Sequence, residues 1–433
     1  MGNGPTSVVA PRERSALPVR PGATTLPGPP NRPGGATGRL AEFFEATPGR
    51  LRTVALLVCA AHLVLAVAAA WTMRAGEQAL SRARQDSAQV VLAQTITADL
   101  LRADAAATSA FLVAGTERPE QRAEYQAAMR AVSDGVARAA AAQPMDGKAL
   151  AQLNTVVVDY GQLVGQARAD NRMALVVGAA YQRQASALLR SRALPILQAV
   201  VTANQARAEA EFDWPARQSV ILALVGCLTL AVSGWAWVTV ALLTRRRLNI
   251  GLVAAGGLCV LTLAAGLGAL AQSSWAVAEA RDHYRVNSAL ALALAQTYNA
   301  RSYESLTLIE RGSGWDYERA WTVAVQTTHD ALAEAGADRT ALTGYQSWHR
   351  QVRALDDDGQ WNDAVAMATD PSEQPFSVLV TQLRELGTDD AGLNPVDHSR
   401  IVLTWAGWLL PGLCLLAVPA TTRGLAPRLA EYQ

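Results

Sequence analysis

Lysine is nearly missing from this chain: of 38 basic residues only Lys148 is a lysine, and the rest are arginine. Cysteine occurs 4 times, as Cys59, Cys227, Cys259 and Cys414, each in a different long apolar run and none in the stretches between them. Those stretches therefore hold no disulfide framework and no cysteine metal site. The cysteines read as small apolar residues filling helix contacts. His283, His329, His349 and His398 share one stretch, and none has the paired helical spacing of a metal site. They are expected on solvated helix surfaces. The run Asp356–Asp358 lacks the ligand pattern of a calcium loop and reads as a helix end. No phosphate-binding loop, dinucleotide fingerprint, zinc-protease motif or nucleophile elbow occurs. The chain is expected not to be an enzyme and to use no cofactor and no metal.

Long apolar runs are what the chain has in abundance. They cover 53–73, 218–243, 248–271 and 401–421. Each exceeds the roughly 20 residues that a helix needs to cross a hydrocarbon core of about 30 Å. Arginine sets their direction. The loop 244–247 reads Thr-Arg-Arg-Arg, the N-terminal 52 residues carry seven arginines, and the C-terminal tail 422–433 carries Arg423 and Arg428. Short basic segments stay cytoplasmic. Both termini and the arginine loop are expected inside, and the stretches 74–217 and 272–400 outside. Trp71, Trp214, Trp275, Trp405 and Trp408 mark the outer ends, and Trp235 and Trp237 the inner end of the second run. The Pro/Arg-rich tail 1–52 is expected to be disordered. Leu40, Phe43 and Phe44 beside Arg39 offer it a short interfacial anchor.

Net charge is +1 over the whole chain. It is uneven: 74–217 holds 16 basic and 14 acidic residues, and 272–400 holds 10 and 19. An acidic outer surface argues against nucleic acid and suits a basic partner, or simply solvates that face. Each outer stretch reads as a helical bundle. In the first, breaks at Gly115–Pro119, Gln143–Gly147 and Asn171–Gly178 separate four helices, with Pro195 expected to kink the fourth. The outer two, at about 40 residues, reach roughly 60 Å. The second stretch repeats the plan, with turns at Gly312–Gly314 and Gly336–Asp338, a helix end at Asp356–Gly359, and a last helix broken by Pro371, Pro375 and Gly387–Pro395. Leu92-Ala93-Gln94-Thr95 recurs as Leu294-Ala295-Gln296-Thr297. The expected fold is an all-α integral membrane protein with four transmembrane helices and two tandem extracytoplasmic helical bundles, a duplicated unit.

Three groups of residues are candidate sites. Asp99, Arg102 and Asp104 on the first helix align, in the shared register, with Arg301 and Glu304, with signs reversed. They form salt bridges inside each bundle, pairs between bundles, or a polar site for a small charged ligand. Leu175, Val176 and Val177 make an unusually apolar distal turn, a contact for a partner unless Phe111, Leu112 and Val113 cover it. His62 lies in the middle of the first apolar run, where an ionisable residue is a functional candidate or bonds a neighbouring helix.

The stretch Ala98-Asp99-Leu100-Leu101-Arg102-Ala103-Asp104, then Ser109 to Gly115 and Arg122-Ala123-Glu124-Tyr125, resembles the GlnX-type membrane proteins of actinobacteria. So do Ala167 to Arg172, Gly178 to Tyr181, Trp348-His349, Asp357-Asp358-Gly359 and Ala364-Val365. The arginine-dominated composition fits a high-GC bacterium. The resemblance implies a signal relay between an extracytoplasmic lipoprotein that binds acidic amino acids and a cytoplasmic serine/threonine kinase. It carries over no catalytic residue. The alternatives are a sensor whose own bundles bind a small ligand, as in chemoreceptors, and a non-signalling envelope scaffold. A ligand-holding arginine cluster inside one bundle distinguishes the first.

Overall fold

A computed structural model describes Gly2 and residues 47–113, 117–244, 249–370, 375–387 and 394–430. The described residues are helical and contain no strand. The proposed anchor at Leu40, Phe43 and Phe44, the arginines of the 244–247 loop, Gly115 and Pro371 lie outside them, as does part of Gly387–Pro395. Residues 1–53 and 54–433 are two separate units, and the second holds both bundles.

Helix α1 (Thr47–Leu112) is 66 residues long. Its only interior glycine past the first turn, Gly76, is required by contact. A β-carbon there would lie 2.3 Å from the ring of Trp214. Next come α2 (Pro119–Ala142), a short 3₁₀ turn at Pro144–Asp146, and α3 (Gly147–Arg172). Helices α4 (Val177–Leu188) and α5 (Leu194–Phe212) are joined by a π-helical turn, Leu189–Ala193. The fourth helix of this bundle thus carries a π turn just before Pro195, whose missing N–H takes one hydrogen bond out of an otherwise continuous helical run. Asp213 then interrupts the chain before α6 (Trp214–Thr244), so the fourth helix does not run unbroken into the second apolar run.

The second half opens with α7 (Ile250–Ile309), 60 residues without a break. Asn249 caps it by accepting from Gly251 N and Leu252 N, and donates to Gly424 O at 3.1 Å. Helices α8 (Trp315–Glu334), α9 (Thr340–Asp357), α10 (Trp361–Thr369) and α11 (Pro375–Leu386) follow, and α12 (Asn394–Ala430) closes the chain. Gly359, at φ +78°, ends α9 after the aspartate run.

Four helical stretches are long and apolar enough to cross a membrane: Gly49–Leu112, Val177–Leu243, Ile250–Ile309 and Asp397–Pro427. Only 28–33% of their apolar windows is buried. They share a core built from Leu65, Met73, Leu222, Leu263, Leu403 and Leu410 among others. Beyond it, α1 to α5 enclose a second core around Leu100, Val132, Tyr160 and Leu197, which also takes in Ala295, Tyr298 and Val380. Helices α7, α8, α9 and α11 enclose a third around Trp321, Tyr345 and Leu379. Helices α1 and α7 run parallel along the join, where Gln94 donates to Ser288 at 2.5 Å and Asp104 meets Ser302.

Candidate functional site

Asp104 stands on the apolar face of α1, between Leu100, Leu101, Ala103 and Ala107, with none of its surface exposed. A carboxylate there needs a full set of donors, because an unpaired buried charge costs several kcal/mol. It has four. Ser186 Oγ at 2.7 Å and Tyr160 OH at 3.3 Å donate to one oxygen, and Ser302 Oγ at 2.6 Å and Arg190 Nη1 at 3.0 Å to the other. Arg190 then reaches across the join: its Nε donates to Asn299 Oδ1 at 3.1 Å and its Nη2 to Ser302 Oγ at 2.9 Å. Its guanidinium lies 4.4 Å from the ring centre of Tyr303. Arg190 sits in the π turn, a local widening that recurs at functional positions. Burial, together with the Asp104 charge, holds the Tyr160 phenol well above its ordinary range, so it remains a donor. The arrangement leaves Asp104 no free lone pair for acid–base work. What it does is tie α1, α3, the α4–π segment and α7 to one atom group.

A second polar cluster lies inside the other bundle. Glu304 pairs with Arg301 one turn before it and accepts from His349 Nδ1 at 2.7 Å. His349 Nε2 faces Glu318 at 3.1 Å, Arg353 lies 3.5 Å from Glu318, and the indole of Trp321 stacks on the imidazole at 3.6 Å. His349 is therefore buried between two carboxylates, not on a solvated surface. Among the described residues no group of three or more histidine, cysteine, aspartate or glutamate side chains is placed to hold a metal.

Between the two bundles opens a cleft of about 320 Å³. Arg102, Arg118 and Arg301 enter it, Tyr298 and Phe376 wall it edge to face at 5.7 Å, and Ala105, Ala106 and Ser109 of α1 leave the space. Arg102 grips Glu124 with two bonds of 2.5 and 2.9 Å, which hold that carboxyl below its usual range against the effect of burial.

Of the sequence candidates, Arg102 and Arg301 share this cleft, whereas the reversed signs do not pair across the join. Asp99 lies 3.7 Å from Arg102, and Glu304 belongs to Arg301. The packing explains this: Asp104 meets Ser302 and Gln94 meets Ser288, four and eight positions behind the register that sets Asp99 against Arg301, so α7 is shifted by one to two turns. Leu175, Val176 and Val177 are uncovered, Val176 being 91% exposed. His62 is buried, its ring nitrogens 2.9 Å from Val58 O and 3.2 Å from Ala255 O on α7. Sequence reading missed Tyr160, Ser186, Arg190 and Arg118, and set His349 on a solvated surface where it is buried. A signal existed for Ser186 and Arg190, which share a helical face with buried Gln182, Ala185 and Leu189.

A family model described as an actinobacterial sensor domain matches residues 79–213, the stretch from the later half of α1 through α5. No curated protein and no solved structure matches the chain. The matched stretch contains Asp104, Tyr160, Ser186 and Arg190, so the α1–α5 half of the buried node lies in a region similar to a sensor domain.

Proposed function

We propose that the chain is a multi-pass membrane sensor that relays an extracytoplasmic event to a cytoplasmic effector. The observation that carries this is the Asp104 node. It joins α1 and α7, and both helices continue without a break into stretches apolar enough to cross a membrane. A relay needs an element with two arrangements that an outer event biases. A charge cluster with a fully buried acid, all of whose donors are in place, shared by four segments has few intermediate geometries, which makes it such an element. The bilayer reading is supported by apolar windows that are mostly unburied, and by Trp71, Trp275, Trp405 and Trp408 exposed near their ends. Arginine in the short loop and tails supports an orientation with both termini inside and both bundles outside.

By resemblance, the outer partner is a binding lipoprotein for acidic amino acids and the inner one a serine/threonine kinase. The exposed turn at Leu175–Val177 fits the first contact. No catalytic role is proposed for the chain itself. The test removes the four native cysteines and places single cysteines in the facing apolar stretches of α1 and α7. Arg190→Ala should change the rate of disulfide cross-linking between them several-fold and uncouple kinase output in cells. Unchanged cross-linking with normal output in a folded variant removes the node from the relay. Partners are identified by pull-down from detergent.

A further inference from the structure

Both ring nitrogens of His349 face a carboxylate. Nδ1 lies 2.7 Å from Glu304 of α7, and Nε2 lies 3.1 and 3.2 Å from the two oxygens of Glu318 of α8. A carboxylate only accepts, and a neutral imidazole has a single N–H. The residue is buried, so water does not take the place of either partner. The contacts are therefore complete only when the ring carries a proton on each nitrogen. The surroundings suit a cation. The Trp321 indole stacks on the ring at 3.6 Å. Arg301 pairs with Glu304 from its own helix. Arg353, one turn along α9, lies 3.5 Å from Glu318 but also pairs with Asp356 and Asp357. Four carboxylates thus meet two arginines, and the imidazolium is the third cation. Tyr345, one turn the other way, remains a phenol, because burial and the Glu304 charge hold it well above its ordinary range. Helices α10 and α11 contribute the Ala368 carbonyl and the Phe376 ring, both to Arg301.

We propose that His349 makes the second bundle a sensor of extracytoplasmic pH, its imidazolium holding α7, α8 and α9 together and its neutral form releasing α8. When the ring gives one proton to solvent, the remaining N–H stays with Glu304, the fully buried acid that costs most to strand. The bare Nε2 lone pair then faces the Glu318 carboxylate. Glu318 is partly exposed and turns towards water, so α8 loses its polar tie to the ring. The change lies beside the node. Ser302 and Glu304 stand two residues apart on α7, about 200° around the helix. Asp104 therefore holds α7 from one side and His349 from the other, at nearly the same height. Releasing one side biases the join, which is where this proposal rests on the sensor reading. The working range follows from the balance at the ring. Burial favours the neutral form, but the bonds to Glu304 and Glu318 outweigh it, so the ring is charged at 6.5 and discharges at higher pH.

The experiment follows the full chain in lipid nanodiscs from about pH 6 to about pH 9. An imidazolium stacked on an indole quenches its emission. The fluorescence of Trp321, taken as the difference between wild type and Trp321→Phe, should therefore rise as the ring discharges. Glu318→Gln removes one of the two facing charges and leaves an amide that pairs with a neutral ring. It should lower the proton affinity of the ring about tenfold, whereas a merely structural role for Glu318 leaves the midpoint in place. Spin labels on the single-cysteine pairs of α1 and α7 report the join, because thiol oxidation itself depends on pH. Their distance distribution should shift over the same range in the wild type, shift at lower pH in Glu318→Gln, and stay fixed in His349→Gln. Should His349→Gln fail to fold, the displacement in Glu318→Gln carries the test. A flat fluorescence difference, a midpoint that Glu318→Gln does not move, discharge of the ring without a change in distance, or a distance shift that persists in folded His349→Gln each overturns the proposal. Arg190→Ala separates the two readings. If it changes cross-linking and output while the wild type shows no response to pH, the relay stands and the proton site is refuted. If it changes neither while the His349-dependent shift is present, the proton site stands and the node is removed from the relay.

Discussion

At the scale of single residues, two buried acids decide what the variants will show. Asp104→Ala strands Arg190 against the join and removes the partner of Tyr160, Ser186 and Ser302. Losing one member of a buried pair costs about 3 kcal/mol, so the thermal midpoint in detergent should fall clearly. An unchanged midpoint means the node is not closed in solution. The other acid is Glu304, and it makes stability depend on pH. Burial alone lowers the His349 imidazole, but its hydrogen bonds to Glu304 and Glu318 outweigh this and its pKa is raised. A raised folded-state value gives stability that is complete below the ordinary 6.5 and is lost as pH rises through the folded value. For Glu304, burial pushes upward, but Arg301 and His349 outweigh it and the pKa is lowered. Its contribution is complete above the ordinary 4.5 and is lost as pH falls through the folded value. The midpoint should therefore be highest between about 4.5 and 6.5 and decline towards alkaline pH. His349→Gln should flatten that alkaline decline, and an equal decline in the variant assigns it to another group.

At the scale of elements, the exposed turn between α3 and α4 gives the next prediction. Met173, Leu175, Val176 and Val177 are all exposed, and Ala174 takes a left-handed φ of 55° to close the turn. Leu175→Asp with Val177→Asp should abolish capture of the extracytoplasmic partner and leave the helical circular dichroism unchanged. Retained capture by the folded variant moves the contact to the acidic second bundle. Helix ends of this kind were legible in the sequence because proline and glycine act locally. Gln143-Pro144 ends α2, Gly336 follows α8, and Gly359 closes α9. The π turn left no such mark. One extra residue in Leu189–Ala193 alters no composition and no hydrophobic period that a short window resolves. The candidate site was half legible for a related reason. Asp104 stands out as an acid among alanines, and Arg102 and Arg301 as charges on an inner face. Their partners, however, lie mostly on other helices, and the Asp104–Ser302 contact follows from the offset of α7 against α1, which only packing determines. Likewise the two glutamates that bury His349 lie 45 and 31 positions away in sequence.

At the scale of the whole molecule, sidedness is the property most open to direct test. A reporter fused after Gln433 should be active only in the cytoplasm, and one inserted at Gly147 or Gly336 only outside. A single reversal breaks the proposed orientation. The purified chain should neither autophosphorylate nor hydrolyse nucleotide, and activity that survives removal of every co-purifying protein contradicts the relay as proposed. The unbroken length of α1 has a further consequence. From Met73 to Leu112 the helix has no interruption, and at 1.5 Å per residue that stretch measures about 60 Å. A partner held to the bilayer only by a lipid must span a comparable height to touch the distal turn. An extended tether needs roughly 17 residues for that distance, and a freely flexible one about 100 to dwell there on average. If the proposed relay takes such a partner, trimming its tether below the first figure should silence it even with both contact surfaces intact, and α1 would then act as a ruler for it.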